Sequence, residues 1–209
     1  MYLTADKVVH GLVCAQRVLK DSRVFDDNGH LLPISIDTVR DVIQELSGYA
    51  VTVRSVIFEG THIFGRIEKY ASEMKAFIDL KHGLDDDWKR FVTAKELLHL
   101  LIDGDEDMSP YGDETLDQLV SDGHIGIVSQ NGGKPPAQSE LIAEVAAMEL
   151  LYPIQNRKVD ATAIDEGSTS FTKLSIRYGI PVNFIDTIFS QGYRKALTRA
   201  FDNTQDSAS

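Results

Sequence analysis

Apolar positions recur along this chain at two periods, and the changes of period divide it. From Asp6 to Lys20, Val8, Val9, Leu12, Val13, Gln16 and Leu19 fall at helical spacing, which predicts an amphipathic helix. A turn follows at Asp26-Asp27-Asn28-Gly29, and Val39, Val42, Ile43 and Leu46 then share one face of a second helix over Asp37–Leu46, ended by Ser47-Gly48. The period shortens next. Ala50–Phe58 and Thr61–Ile67, rich in β-branched and aromatic residues, read as strands joined by a hairpin turn at Glu59-Gly60, and Met74–Leu80 alternates as a third strand.

Beyond a polar loop at Lys81–Lys89, Phe91–Ile102 returns to helical spacing. A short strand is expected at His124–Ser129 and a loop at Gln130–Pro136, and Gln138–Leu151 is strongly helical up to Tyr152-Pro153. Phe171–Tyr178 and Val182–Phe189 form two short helices around Gly179-Ile180-Pro181, and a last helical stretch covers Tyr193–Phe201. The expected fold is therefore α+β: N-terminal helices, a small three-stranded antiparallel sheet, then helices. Residues 1–153 make the main domain, 154–202 a small helix-turn-helix-like subdomain, and 203–209 a polar, disordered tail.

Composition narrows the function classes. The chain has 209 residues and a net charge of −11, which argues against a general nucleic-acid binder. A single cysteine, Cys14, removes any internal disulfide and any cysteine-rich zinc site. With no apolar run long enough to span a bilayer and no signal pattern, a cytoplasmic protein without membrane contact is expected. Much of the charge is local: eight acidic residues and no basic one lie between Asp103 and Asp122, which reads as a solvated, self-repelling loop. Asp103, Asp105, Asp107 and Glu114 match the spacing of a calcium loop, but Met108 occupies the position where its sharp turn needs glycine.

Two segments carry candidate chemistry: AKELLHLLI from Ala94 and SELIAEVAAMELLYP from Ser139. An HExxH helix places two histidines one turn apart on one metal, with the glutamate between them as general base and a third ligand from a later helix. Here Glu96 and His99 hold the base and second-histidine positions, and Lys95 stands at the first.

On these residues the chain resembles the ImmA/IrrE metallopeptidase-like proteins, a family associated with repressor cleavage and stress-response control. RFVTAKELLH, Arg90–His99, is similar to that family's RFTxAHELGH helix, and ELIAEVAAMELLYP, Glu140–Pro153, follows its ExxANxFAxxLLxP signature. The resemblance covers residues 35–200. It implies a zincin-like fold, makes His99 and Glu140 the metal-ligand candidates and Glu96 and Lys95 the candidates at the catalytic positions, and puts Glu144 where the family has asparagine.

Each residue also has a plainer role. Thr93-Ala94-Lys95-Glu96 is a capping-box pattern, Glu140 near a helix N-terminus suits the dipole, and His99 on a leucine-rich helix suits a hydrogen-bonded core position. Lys95 weighs on activity, because an ammonium repels a dication and offers no lone pair. His99 and Glu140 alone fall short of the three protein ligands of a catalytic zinc site; Glu144 and His124 are the candidates for a replacement. The expectation is a degenerate homologue without ordinary zinc-peptidase activity that binds a protein partner in a regulatory role. The alternative is a metal-dependent endopeptidase that cuts a repressor, with Glu96 as base and a rearranged zinc site. Arg177, Arg194, Lys195 and Arg199 could touch phosphate, but Phe184, Ile185, Ile188 and Phe189 make the hairpin a packing module, so DNA is not an expected partner.

Overall fold

The computed structural model describes residues 5–22, 31–58, 63–104, 135–195 and 197. Outside them lie both expected turns at 26–29 and 59–60, the acidic and calcium-like segment from 105 onward, the strand expected at His124–Ser129 with His124 itself, Arg199 and the tail.

Two helices come first, α1 (Ala5–Ser22) and α2 (Ile36–Ser47). Ser35 caps α2 by accepting from Thr38 N at 3.0 Å. Gly48 ends it at φ 78°, a left-handed position that glycine adopts without strain. Strands β1 (Ala50–Val56), β2 (Gly65–Tyr70) and β3 (Lys75–Lys81) follow, then α3 (Asp86–Ile102). The remaining elements among the described residues are helices: α4 (Pro135–Leu151), α5 (Ile154–Asp165), α6 (Phe171–Tyr178), α7 (Val182–Phe189) and a helical turn at 191–195. The fold is α+β and mostly helical.

The three-stranded sheet is mixed, which corrects the expected antiparallel one. Its order is β1-β3-β2, with β1 parallel to β3 and β2 antiparallel to β3, so β1 and β2 never pair as a hairpin. The central place goes to β3, whose Ala76, Ile78 and Leu80 are buried on one face and Asp79 on the other, while β1 and β2 are at most half-buried. A Glu-Gly turn signal marks a reversal of direction but does not say which neighbour the returning strand meets. The tight link is instead β2 to β3, through the turn 71–74, with Met74 left-handed at φ 51°.

Helix α3 starts five residues before the expected Phe91, with Asp86 and Asp87 in its first turn, where carboxylates favour the dipole. Thr93 and Glu96 therefore lie two turns inside the helix and form no capping box; Thr93 Oγ1 donates instead to Lys89 O at 2.6 Å. Helix α4 likewise starts within the expected loop, at Pro135, a residue whose fixed φ suits a helix start. Helix α5 has no counterpart in the apolar pattern because its buried residues are polar: Asn156, Arg157 and Asp160.

Helix α3 is the hub, packed on α1, α2, α4 and strands β2 and β3. One core of buried residues runs from Ala15 and Ile43 through Ile78 and Leu97 to Ile185, so the α6–α7 hairpin shares it. Phe91 of α3 stacks on Phe184 of α7 at 3.8 Å, and Tyr152 on Tyr178 at 4.0 Å. Among the described residues no helix is long and apolar enough to cross a membrane.

A candidate cleft between helices α3 and α4

The packing of α3 on α4 places the polar residues of both helices together. Both helices carry small or apolar buried residues beside the polar ones: Ala94, Leu97 and Leu98 on α3, Ala143, Ala146 and Ala147 on α4. Strand β2 closes the arrangement. A Cβ at Gly65 would lie 2.3 Å from Val92 Cγ1 and 3.2 Å from Glu96 Oε1, so only glycine lets the strand approach the helix here.

All four residues singled out from the sequence meet in this cleft. Lys95 Nζ donates to Glu140 Oε2 at 2.5 Å and lies 2.9 Å from Glu96 Oε1. His99 Nε2 approaches the other oxygen of the same carboxylate, Glu140 Oε1, at 3.4 Å, without the alignment of a hydrogen bond. Glu96 and His99 are almost wholly buried, while 37% of the Glu140 side chain remains open to solvent. Glu140 thus faces the lysine with one oxygen and the histidine with the other.

Charges in the cleft sustain one another. Burial disfavours the Lys95 ammonium, but Glu140 and then Glu96 outweigh it and hold its pKa well above the ordinary lysine range. Burial opposes charge on His99 too, yet Glu140 and the hydrogen bond to Asp103 push it up to about 10. Burial works against the Glu140 carboxylate, and Lys95 and His99 overcome it, so this carboxyl titrates well below the usual range. Glu144, one turn along α4, has no such partner. Its Oε1 is buried without a hydrogen bond among the described residues, and burial, opposed by Lys95 and helped by Glu140, raises it to about 7.

Three contributors are not apparent from the motif. Asp103 Oδ2 lies 2.8 Å from His99 Nδ1, so Nδ1 carries the proton of that bond and Nε2 is turned to the cleft. Ser139 Oγ sits 3.2 Å from the same nitrogen and donates to Asp103 Oδ1. Lys69 Nζ, from β2, donates to His99 O at 2.9 Å. Asp103 corrects the expectation of a solvated loop at its first residue: only 7% of its side chain is exposed, and it belongs to the cleft. Its spacing of four from His99 on a helix was the available signal. Ser139 and Lys69 leave no comparable mark.

The donor set does not fit a zinc ion. Lys95 Nζ already takes one oxygen of Glu140 and one of Glu96, and as an ammonium it has no lone pair to give. Among the described residues that leaves Glu140 Oε1 and, once it has given up its proton, His99 Nε2, one short of the three protein ligands of a catalytic zinc site. Among the described residues no three His, Cys, Asp or Glu side chains are placed to hold a metal. No family model matches the chain, and no curated protein matches its sequence.

Two of the C-terminal cations make contacts within the chain. Arg177 Nη1 pairs with Asp160 at 3.0 Å, and Arg194 donates twice to Phe189 O. Phe184, Ile185 and Ile188 are buried, as a packing module requires.

Proposed function

We propose that this chain is a metallopeptidase-like protein of the ImmA/IrrE kind that has lost ordinary zinc-peptidase chemistry and acts in the cytoplasm by binding a protein partner in a regulatory role. The observation that carries the reading is the Lys95 ammonium lodged between Glu96 and Glu140, where an HExxH helix would present its first histidine. A general base must take a proton from a water, and the Lys95 ammonium, 2.9 Å from Glu96 Oε1, competes with any water for that oxygen. The side-by-side placement of Glu96, His99 and Glu140 from two helices supports the zincin-like ancestry; the lysine argues against the activity. The family's association with repressors makes a regulatory protein the natural class of partner.

One observation favours the other reading, a metal-dependent endopeptidase acting on a repressor. His99 is tied through Nδ1 to a carboxylate and presents Nε2 to the cleft, which is how metal-ligating histidines are commonly oriented. Metal analysis of protein purified without chelator, run beside a proteolysis assay with and without chelator, separates the two. The regulatory reading expects substoichiometric zinc and no chelator-sensitive cleavage. One zinc per chain with chelator-sensitive cleavage would put the peptidase first.

A further inference from the structure

Lys95 departs from the HExxH pattern, and the fold does not leave its side chain in solvent. Only 16% of it is exposed, and its ammonium touches carboxylates from two helices, Glu96 of α3 and Glu140 of α4. His99 approaches Glu140 from the other side. In a metal-loaded cleft of this design a dication would stand among the same groups, offset the same carboxylates and join the same helices. With Lys95 neutral or absent, Glu96 and Glu140 would face each other with only the histidine between them, and Glu144 would add a third carboxyl one turn away. Carboxylates held that way repel each other, and removing one partner of a largely buried pair leaves the other uncompensated.

We propose that the Lys95 ammonium is a resident cation that stands in place of a dication: it offsets Glu96 and Glu140, fastens α3 to α4 through Glu140, and excludes a metal ion from the cleft. The inference rests on reading the cleft as metallopeptidase-like. Lys95 is here a positioning residue. The residue that stands where a metal ligand would be also supplies a positive charge, one unit against a dication's two, so the cleft is preformed with no ion to acquire.

The test uses the full chain and four variants: Lys95→Met, Lys95→His, Glu140→Gln and the double variant Lys95→Met/Glu140→Gln. Urea unfolding gives the equilibrium constants, and titration with Co²⁺, followed by its visible absorption, gives metal binding and geometry. Lys95→Met is expected to raise the unfolding constant roughly tenfold in the parent and only about twofold in the Glu140→Gln background, the half-open Glu140 keeping the effect below that of a sealed pair. A lysine that merely filled space would cost the same in both backgrounds. Should Lys95→Met not fold, the same coupling is read from whether the double variant folds where the single does not. The parent is expected not to bind Co²⁺, and Lys95→His to bind one per chain with the intense absorption of a tetrahedral site.

Equal costs in the two backgrounds would overturn the resident cation, and would leave the metallopeptidase-like reading standing if Lys95→His still binds Co²⁺. Coupling without any Co²⁺ binding by Lys95→His would overturn the claim that the ammonium takes a dication's place, and that reading with it. One tightly bound Co²⁺ per parent chain would overturn the exclusion of metal.

Discussion

Glu144 keeps its proton to higher pH when folded, because burial has raised its pKa from 4.5 to about 7. Folding therefore takes up a proton between those values, and stability falls as pH rises through that window, then levels off. Lys95 and Glu140 are the charged groups that act on it from the cleft, with Lys95 favouring the carboxylate and Glu140 opposing it. Glu144→Gln is expected to stabilise the protein by roughly 1–3 kcal/mol above about pH 8 and to change little below about pH 4.5. Urea midpoints at the two pH values check this, and an equal effect at both would show that charge is not the cause. Gly65 offers a steric counterpart. A methyl group there would meet Val92 Cγ1 at 2.3 Å, so Gly65→Ala is expected to cost about 1–3 kcal/mol by pushing β2 off α3. Melting temperatures test it: adding Val92→Ala should recover much of the loss if the clash is the reason.

At the level of elements, the contact between α3 and α4 carries Lys95, His99 and Glu140, with His99 held by Asp103 and Ser139 on one side and facing Glu140 on the other. Its folded pKa, raised from 6.5 to about 10, means that the charged imidazole contributes stability fully below about pH 6.5, and that this contribution disappears as pH rises through about 10. The stability advantage of the parent over His99→Gln should therefore shrink between about pH 6 and pH 10. An advantage that stays constant across that range would mean that His99 is neutral in the fold and acts by packing alone.

Across the whole molecule, the α6–α7 hairpin is bound to the rest by apolar and polar contacts together. Phe184 stacks on Phe91 and meets Trp88 edge-on at 5.6 Å. Asp160 of α5, 5% exposed, accepts from Tyr152 and Tyr178, each at 2.8 Å, and from Arg177. A buried carboxylate with three donors ties α5 to α6 and to the end of α4. The chain is therefore expected to unfold as one unit, with the fluorescence of Trp88, the only tryptophan, and the far-ultraviolet dichroism following the same urea curve. Phe184→Ala should shift both by about 3–5 kcal/mol. Separate curves for the two probes would show that the hairpin folds on its own.

Periodicity by itself determined the helices whose buried faces are apolar. The bounds of α6 and α7 are those that the pattern requires, and α1, α2 and the body of α4 differ from it only at their ends. The motif residues Lys95, Glu96, His99 and Glu140 are legible too, since i,i+3 and i,i+4 spacings fix a face of a helix before any fold is known. Helix α5 escaped because polar side chains fill its buried positions, and a hydrophobic pattern is blind to burial that hydrogen bonds make possible. Strand order was decided in three dimensions: the burial of β3 put it between β1 and β2, whereas a turn signal speaks only of chain direction. The cleft shows the same division. Sequence placed Lys95 on the same helix as Glu96 and His99, but whether its ammonium turned to solvent or to Glu140 depended on how α4 packs on α3, across 45 residues of chain. Ser139 joined His99 by that same packing, because contacts between distant segments are settled by the shapes of the faces that meet and not by either segment alone, whereas Asp103, one turn further along the same helix, met it locally.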